Sequence, residues 1–438
     1  MKVRVIGGGL AGIEAAYQLL IRGITVDLYE MRPVLNTPIH TTPFLAELVC
    51  SNSLKSEDIS TAQGLLKKEM SMLNSLVIKA AHFSKVPAGS ALAVDRMKFS
   101  KFIEAKLASF NRFSLIREEV KEIQPFDIVA TGPLSSSSIC SNIENLLGVE
   151  KLYFYDAVSP IITKDSIDFT KAFYGSRYNK GTDDYINCPL NEKEYYLFCD
   201  ELINAKTVIL KNFEKREIFS GCMPIEEMAR KGMDSLRFGP LRPVGFYNQV
   251  NEKPWGIVQL RKEDNYDELY NLVGFQTNLT FTEQKRVFGL IPALKNADFV
   301  RYGVMHRNTY IKSPGNISSN LNFVKDERIF FAGQILGVEG YMESSIMGII
   351  AGINMARYIN KKPYIKFSTD TLSGALLDYV SNYKGDYQPM PVNFELFENK
   401  ITIKDKKARK LAYSNRAMEL INQHIIEQKI NDDIINLR

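Results

Sequence analysis

Apolar residues are grouped into three successive segments at the start of the chain. Residues 3–6 form a short, mostly β-branched run, residues 13–21 have the spacing of an apolar helix, and residues 24–29 form a second short run. Short apolar runs of this kind are typical of strands buried in a parallel sheet. The order therefore predicts a β-α-β unit, in which a helix connects two parallel strands.

A glycine-rich turn joins the first strand to the helix. Gly7, Gly9 and Gly12 have the G-x-G-x-x-G spacing, which permits a tight turn, close approach of backbone to a pyrophosphate, and close helix–strand packing. The N–H groups at the helix start, with the helix dipole, attract phosphate. Glu30 ends the second strand 18 residues after Gly12, where an acid binds ribose hydroxyls. The predicted nucleotide contacts are Gly7, Gly8, Gly9, Leu10, Ala11, Gly12 and Glu30.

The next part of the chain is irregular before regular elements return. Residues 31–79 begin with a long polar loop, and its length favours a functional lining over a simple connection. One helix is predicted from residue 64 to residue 77, and another over residues 93–108, entered through Asp95. Residues 128–132 (IVATG) predict a buried strand that ends in a glycine turn, a second point where the sheet can meet a nucleotide.

The middle of the chain has a different character. From about residue 150 to residue 325, short β-like segments carry many Tyr and Phe with scattered Arg and Lys, which predicts an inserted mixed α/β domain. A strand is predicted again at residues 329–332, followed by a glycine loop and a helix over residues 343–357. Small residues in that helix allow close contact with the sheet or a cofactor. Residues 400–438 predict a charged amphipathic tail.

The nucleotide-binding fold is therefore split in the sequence. A simple NAD dehydrogenase usually completes this fold contiguously, whereas the length of FAD requires both an N-terminal β-α-β unit and a distant C-terminal glycine loop. The predicted fold class is α/β, a Rossmann-like FAD-binding domain with an inserted mixed α/β domain. The predicted C-terminal FAD contacts are Gly333, Gln334, Gly337, Glu339, Gly340 and Tyr341.

The same pattern predicts the domain limits. The N-terminal part of the FAD-binding domain covers residues 1–80, and its C-terminal part covers residues 326–360. Residues 81–325 belong mainly to the inserted domain, which is expected to bind the substrate, with a return to the FAD-binding domain near residues 126–135. Residues 361–438 form a C-terminal helical segment.

Composition narrows the class of protein. The chain has 438 residues, of which 45% are hydrophobic and 24% charged, as in a soluble protein with more than one ordinary core. The first strand starts too near the N-terminus for a signal peptide, and we expect no membrane span. The five cysteines form neither a CxxC pair nor a ligand spacing with His, so we expect no metal site and a reducing, cytoplasmic location. The net charge of +5 permits a polyanionic partner.

Two cysteines have contexts that suggest chemistry. Cys222 precedes what resembles a helix opening near Pro224, and the dipole at a helix N-terminus lowers the pKa of a thiol there. Such a thiolate can act as a nucleophile. Cys50 lies in AELVCSNS, a run of small and polar residues. An inert, buried thiol is the alternative for both. That interpretation is kept for Cys140, Cys188 and Cys199.

Cations stand among aromatic residues and glycines in the inserted region. The residues predicted to contact RNA phosphates are Arg177, Arg237, Arg242, Arg261, Arg301 and Arg307. Interleaved Phe and Tyr side chains can stack on unpaired bases. A solvated face with salt bridges is the alternative interpretation. His306, next to Arg307, is more simply a structural residue, but in this cluster it can stack on a flat ligand.

Together these segments resemble the folate- and FAD-dependent tRNA (uracil-5-)-methyltransferase family. The resemblance runs in order from residue 1 to about residue 395, and it is carried by GGGLAG, LYEMRP, AELVCSNS, VPAGSALAVDR, VATGP, SRYNKG, YINCPL, GCMPIEEMA, LRFGPLRPVG, IVQLR, NLVGFQTNL, RYGVMHRN and FFAGQILGVEGYMES. Larger flavoproteins that modify the tRNA wobble position are also similar, but they lack GCMPIEE and carry a long C-terminal helical domain.

The resemblance implies an enzyme that moves the methylene carbon of 5,10-methylenetetrahydrofolate, by way of FAD, to carbon 5 of the T-loop uridine of tRNA. Reduction then gives 5-methyluridine, with NADH or NADPH as the reductant. Cys222 stands in the family's GCMPIEE motif and is implied to add to carbon 6 of the uracil. Cys50 is implied to be a second catalytic thiol, the proton acceptor at carbon 5. His306 is implied to sandwich the folate ring against the flavin.

Three other functions stay open on the sequence, and one of them is a catalytically dead RNA-binding module that carries FAD. The same chemistry on a ribosomal RNA uridine would use the same motifs. A flavin oxidoreductase acting on a small molecule would leave the arginine cluster merely solvated. The sequence also departs from the family at Ser220, in FSGC where FEGC is usual, and this change alters the field near Cys222.

Overall fold

The computed structural model describes residues 1–148, 151–179, 183–208, 223–246 and 253–435. Its strands, in chain order, are β1 (Lys2–Ile6), β2 (Thr25–Tyr29), β3 (Ser53–Ser56), β4 (Lys85–Val86), β5 (Ala91–Val94), β6 (Phe113–Ile116), β7 (Asp127–Val129), β8 (Lys151–Ala157), β9 (Ile161–Thr163), β10 (Phe173–Tyr174), β11 (Tyr185–Leu190), β12 (Gly256–Lys262), β13 (Leu269–Leu272), β14 (Phe299–Arg301), β15 (Met305–Ile311), β16 (Asn322–Phe323) and β17 (Asp326–Phe331).

The α-helices complete the set of regular elements. In chain order they are α1 (Leu10–Leu20), α2 (Ala62–Met72), α3 (Leu76–Phe83), α4 (Arg96–Ala108), α5 (Ser137–Leu147), α6 (Glu192–Asn204), α7 (Ile225–Arg230), α8 (Ser235–Phe238), α9 (Phe281–Phe288), α10 (Tyr341–Ile359), α11 (Leu372–Asn382) and α12 (Lys406–Glu427).

The first sheet has six strands in the order β16-β17-β7-β1-β2-β6. All neighbouring pairs are parallel except β16 and β17. The three central strands are contributed by the first 30 residues and by the IVATG segment, and β17 joins them from 200 residues further along the chain. Their apolar side chains are buried on both faces, which explains the continuous apolar runs in the sequence. The predicted α/β class and the split FAD-type fold are confirmed.

Helix α10 packs directly on helix α1, and glycines make the close approach possible. A Cβ atom at Gly348 would lie 2.1 Å from the backbone oxygen of Ala11, and one at Gly352 would lie 2.6 Å from that of Ala15. The small residues expected to face the sheet or a cofactor therefore face the neighbouring helix. The N-terminal and C-terminal parts of the nucleotide fold are joined through this helix pair.

The second sheet belongs to the inserted region. Its six strands follow the order β10-β11-β12-β13-β9-β14, and all neighbouring pairs are antiparallel. Helices α6, α7, α8 and α9 contribute to a separate apolar core on this sheet. The mixed α/β character matches the prediction, while the limits at residues 81 and 325 stay predictions. The first sheet takes its edge strand β6 from within that interval.

The single helix predicted over residues 64–77 is wrong, because two helices, α2 and α3, occupy this segment. The carboxylate of Glu14, on α1, accepts hydrogen bonds from the backbone N–H groups of Leu76 and Val77, at 3.0 and 2.9 Å. Ser75 caps the second helix by accepting from Ile78 N at 3.1 Å. Because a buried residue from another helix binds these N–H groups, they are not available to continue α2.

The carboxyl end of the described chain lies against the end of α1. Ile435 N donates to Ile21 O at 2.8 Å, and Arg22 Nη2 donates to Ile430 O at 3.1 Å. Arg357, on α10, forms a buried ion pair with Asp433 at 2.9 Å. Among the described residues, no helix combines the length and the apolar character needed to cross a lipid bilayer.

Candidate functional site

A cleft opens at the carboxyl ends of the parallel strands. It is lined by the turn after β1, the residues after β2, the IVATG turn after β7 and the start of α10. Ligands of open α/β sheets bind at this edge of the sheet. Of the predicted cofactor contacts, the cleft is lined by Gly7, Gly8, Gly9, Leu10, Ala11, Glu30, Gln334 and Tyr341.

The glycine turn has the geometry that its spacing predicts. Gly7 has φ +107°, and a Cβ there would lie 2.4 Å from the backbone oxygen of Ala130. At Gly12 a Cβ would lie 1.8 Å from the oxygen of Gly7, so helix and strand approach closely. A Cβ at Gly9 would meet nothing within 4 Å. Gly9 is also the N-cap of α1, and no side chain caps this helix. Open space therefore lies where a pyrophosphate would meet the helix N–H groups.

Glu30 is held by a network that the sequence analysis did not identify. Its carboxylate accepts from Gly8 N at 3.0 Å and from Arg32 Nε at 2.9 Å. Arg32 is 2% exposed and also donates to Glu47 Oε2 at 3.0 Å. Glu47 in turn accepts from the backbone N–H of Thr41 at 2.9 Å. Arg32 and Glu47 lie in the long polar loop whose length signalled a functional lining, but its composition does not indicate which residues pair.

The charges in this network fix two carboxylates in the ionised state. Burial alone would raise the pKa of Glu30, but hydrogen bonds and the positive charge of Arg32 outweigh it, so the pKa is lowered. Glu47 follows the same pattern, with hydrogen bonds from Thr41 and Thr42 outweighing burial. Burial and the charge of Arg32 lower the pKa of the neighbouring His40 to about 4. The cleft is therefore lined here by anionic carboxylates and a neutral imidazole at neutral pH.

The opposite end of the cleft lies at the start of α10. The hydroxyl oxygen of Tyr341 accepts from the backbone N–H groups of Cys50 and Ser51, at 2.8 and 3.1 Å. Burial raises the pKa of Tyr341, as does the charge of Cys50, so the phenol stays protonated. The half-buried Cys50 thus lies directly after Val49, which lines the cleft. The structure therefore places the backbone of Cys50 beside the end of the cleft that holds the predicted nucleotide site.

The remaining residues of the C-terminal glycine loop shape the loop instead of lining the cleft. Gly333, Gly337 and Gly340 all have positive φ values, of +83°, +85° and +126°. Gly337 packs against Tyr387, and Gly340 is the N-cap of α10. Glu339 Oε2 accepts from Gln334 Nε2 at 2.6 Å, so this pair fixes the loop internally.

The arginines predicted to contact RNA fall into different surroundings. Arg177 donates to Gln259 and to backbone oxygens of residues 242 and 244, at 2.6–2.8 Å. The guanidinium of Arg237 lies 3.9 Å from the ring centroid of Trp255. Arg242 is exposed. The guanidinium groups of Arg261 and Arg301 point inward, to the segment around Cys50.

The side chains of three residues predicted to act in the site lie outside the described part of the structure. Cys222 lies outside the described residues, and so do the side chains of His306 and Arg307, although the backbone of both belongs to β15. Helix α7, which follows Cys222, has only six residues and carries Glu226 and Glu227 in its first turn. Because α7 is short and has acidic residues in its first turn, the positive field at its N-terminus is weaker than the one predicted from the sequence.

The residues at the glycine-turn end of the cleft fit a dinucleotide such as FAD. The open space beside Gly9, the uncapped start of α1 and the ionised Glu30 supply contacts for pyrophosphate and ribose. The cleft then continues to Tyr341 and Val49, so a long cofactor can extend from the glycine turn toward Cys50.

Comparisons with known proteins agree with this architecture. Residues 2–363 match the family model described as Glucose inhibited division protein A. Among solved structures, Aquifex aeolicus GidA in its form II crystal superposes with a TM-score of 0.70 at 17% identity, covering 99% of this chain and 75% of that chain. At this identity the likeness supports the fold alone.

Sequence relatives are much closer. The "Methylenetetrahydrofolate--tRNA-(uracil-5-)-methyltransferase TrmFO" of Dictyoglomus turgidum is 50% identical over 436 residues, covering 98% of this chain and 99% of the relative. The protein of the same name from Aquifex aeolicus is 52% identical over 435 residues, covering 98% and 97%. The chain therefore belongs to the methylenetetrahydrofolate–tRNA-(uracil-5-)-methyltransferase TrmFO family and to the family described as Glucose inhibited division protein A.

Proposed function

We propose that this protein is an FAD-dependent methyltransferase that uses 5,10-methylenetetrahydrofolate to convert the T-loop uridine of tRNA to 5-methyluridine, with NADH or NADPH as reductant. The observation that carries the proposal is the single cleft joining the glycine turn, where FAD fits, to the Tyr341–Cys50 contact. The names of relatives that are half identical over nearly the whole chain support the same reaction.

FAD, when bound, supplies the hydride that reduces the transferred methylene carbon to a methyl group. The protein's own task is to bind the cofactor and to activate the uracil. Glu30 and the N–H groups of α1 would hold the ribose and pyrophosphate of FAD, as argued above. The uridine must leave its base stack to reach the cleft, and the aromatic and basic inserted domain suits such a flipped base.

Two thiols carry the proposed covalent steps. The Cys222 thiolate adds to carbon 6 of the uracil, which forms an S–C bond and places electron density on carbon 5. Once carbon 5 carries the new substituent, the Cys50 thiolate accepts the proton from that carbon. The electron pair of the broken C–H bond forms a double bond to the transferred methylene carbon and expels the nitrogen that carried it. Hydride, which the reduced flavin would supply, then adds to the methylene carbon, and the electron pair that returns to carbon 5 expels the Cys222 thiolate and restores the carbon 5–carbon 6 double bond. These assignments remain predictions, as does the contact of His306 with folate.

The proposal is tested with purified, FAD-loaded protein, methylene-labelled 5,10-methylenetetrahydrofolate, NADPH and an unmodified tRNA transcript. We expect labelled 5-methyluridine in the T loop by mass spectrometry. Cys222→Ala should abolish the product while the flavin spectrum is retained, and Cys140→Ala, a buried thiol on α5, should retain the product. A parallel reaction contains a ribosomal RNA fragment in place of the tRNA transcript, and label that appears only in that fragment, or in neither RNA, would overturn the proposed substrate.

A further inference from the structure

The backbone around Cys50 is held by arginines from distant parts of the chain. We call residues 48–52 the Cys50 loop. Arg96, the first residue of α4, donates through Nη1 to the oxygen of Leu48 and through Nη2 to that of Cys50, the latter at 3.3 Å. Arg301, at the end of β14, donates through Nη2 to the oxygen of Val49 at 2.8 Å. Three successive carbonyl groups of the loop therefore accept from two guanidinium groups.

Arg261, on β12 of the inserted region, holds the other half of the loop. Its Nε donates to Asn52 Oδ1 at 2.9 Å, and its Nη2 donates to Ser51 Oγ at 2.7 Å. Asn52 is fixed in turn, because its Nδ2 donates to the oxygens of Val94 and Lys262 at 3.1 and 3.0 Å. Arg261 is only 8% exposed, so its guanidinium is committed to the loop.

The charges around the loop have an excess of cations. Glu263, 5% exposed, forms an ion pair with Arg96, and the positive charges of Arg261 and Arg301 also act on its carboxylate. Burial raises the pKa of Glu263 and lowers that of Arg261, and the charges of Glu263 and Cys50 act on Arg261 in the opposite direction. Arg96, Arg261 and Arg301 therefore place three positive charges beside the loop, with the carboxylates of Glu263 and Glu47 nearby.

We propose that Arg261 is a positioning residue for Cys50, holding the Cys50 loop at the end of the cleft, and that it does not contact RNA phosphates. The proposal rests on the methyl transfer proposed above, in which Cys50 is a catalytic thiol. It reassigns a residue that the sequence pattern predicts to bind RNA, since Arg261 is buried and its Nε and Nη2 groups are hydrogen bonded to the loop, which leaves little surface for a phosphate. Arg301 donates to a backbone oxygen of the same loop, so the same reassignment applies to it.

Arg242 belongs to the same set of arginines predicted to contact RNA phosphates, but it is exposed, so a substitution there is the matched control for Arg261. In the methylation assay, Arg261→Gln should lower kcat about tenfold or more, because a displaced thiol loses its reacting geometry, with KM for tRNA nearly unchanged. The salt dependence of tRNA binding should also stay unchanged. Arg242→Gln should instead raise KM and reduce the slope of log K against log salt by about one. An Arg261→Gln variant with this second pattern would overturn the proposal.

A second readout separates positioning from a general loss of structure. The full-length, FAD-loaded protein is alkylated with iodoacetamide at a series of pH values, and the Cys50 peptide is quantified by mass spectrometry. Arg261→Gln should shift the alkylation profile of Cys50 upward by about one pH unit, since a cation near the thiolate is lost. Arg261→Lys keeps the positive charge but lacks the planar pair of donors of a guanidinium. The alkylation profile of Cys50 in this variant should therefore stay near that of the wild type, while kcat remains lowered.

A milder variant covers the case in which Arg261→Gln does not fold. Ser51→Ala removes only the hydroxyl that accepts from Arg261 Nη2, and it should lower kcat in the same direction with flavin content unchanged. An unshifted Cys50 profile in folded Arg261→Gln, or an unaltered kcat in Ser51→Ala, would overturn the proposal. A third outcome separates the two proposals. If neither the wild type nor any variant methylates tRNA, yet the alkylation profile of Cys50 shifts as expected in Arg261→Gln, the proposed function fails while the positioning of Cys50 by Arg261 stands.

Discussion

The two ends of the cleft are built in different ways. At the glycine turn, the main constraints are local backbone geometry, because Gly7 has a positive φ and a side chain at Gly12 would overlap the backbone oxygen of Gly7, five residues before it. At the Cys50 loop, the contacts come from Arg96, Arg261, Arg301 and Tyr341, which lie 46 to 291 residues away in the chain. One end is fixed by local sterics and the other by polar contacts between separately folded segments.

This difference determines what a substitution at each end of the cleft would change. A steric constraint inside one β-α-β unit holds whenever that unit is folded, so it is lost only with the fold itself. Polar contacts from the inserted region contribute about 1 kcal/mol each and can be removed singly. We therefore expect changes at the glycine turn to affect stability or cofactor binding, and changes at the Cys50 loop to affect reactivity.

The largest expected effect is at Gly12. In Gly12→Val the added atoms overlap the backbone oxygen of Gly7, so we expect a loss of about 3 kcal/mol or more in the free energy of unfolding. Urea denaturation of the cofactor-free protein, followed by circular dichroism, measures this loss. Wild-type stability in the variant would mean that helix α1 and strand β1 are not packed as described.

Gly9→Leu should have a smaller and more selective effect. Its side chain enters open space, so the protein should fold with little change in stability, yet it would fill the place of the pyrophosphate. We expect colourless protein and FAD affinity reduced about 100-fold, or ~2.7 kcal/mol.

Gly148→Ala, at the carboxyl end of α5, is a control for FAD binding alone: its φ of +69° makes alanine strained there, so a small loss of stability is expected, but the protein should stay yellow. Cys50 alkylation in cofactor-free Gly9→Leu should equal that of the cofactor-free wild type. A changed profile would break the comparison, because the two ends would then be coupled through the protein.

The smallest expected effect concerns the charge of Glu30. Because its pKa is lowered in the folded protein, Glu30 stays ionised above the usual carboxyl value of about 4.3, and its contribution is lost only as the pH falls through the lower folded-state value. FAD affinity should therefore be flat between pH 8 and pH 5. Glu30→Gln should weaken binding about tenfold, ~1.4 kcal/mol, at every pH in this range.

Fluorescence titration with FAD at several pH values measures this behaviour. Arg32 would be left without one of its two carboxylate partners in the variant, so a modest loss of stability is expected alongside. A wild-type affinity that falls between pH 8 and pH 6 would contradict an ionised Glu30 and point to another titrating group in the cleft.

The sequence predicted best where geometry depends on neighbouring residues. The β-α-β unit, the position of Glu30 directly after β2, the start of α4 after Asp95, and the strand and helix that correspond to β17 and α10 are all confirmed, while ribose binding by Glu30 stays a prediction. In each case a local rule is sufficient: Gly7 adopts a positive φ, and Asp95 accepts from Lys98 N at 3.0 Å. These features need no knowledge of the rest of the fold.

Prediction failed where a partner comes from elsewhere in the chain. The break between α2 and α3 depends on Glu14, 62 residues before Leu76. Arg96 and Glu263 were not identified as neighbours of Cys50, because nothing in either local sequence indicates the contact. The arginine cluster was treated as one surface, although the fold turns the side chains of Arg261 and Arg301 inward and leaves Arg242 exposed. The sites of Cys222, His306 and Arg307 stay predictions.

The anchoring of the chain's carboxyl end has a practical use. Helix α1 begins at the cleft and ends at Ile21, to which Ile435 is hydrogen bonded, so the last described residues leave the molecule one helix length, about 16 Å, from the cofactor site. An affinity tag or fluorophore attached directly after Ile435 would start at the end of α1 that is remote from the cleft. Surface immobilisation through it should leave the cleft facing solution, available to a transfer RNA.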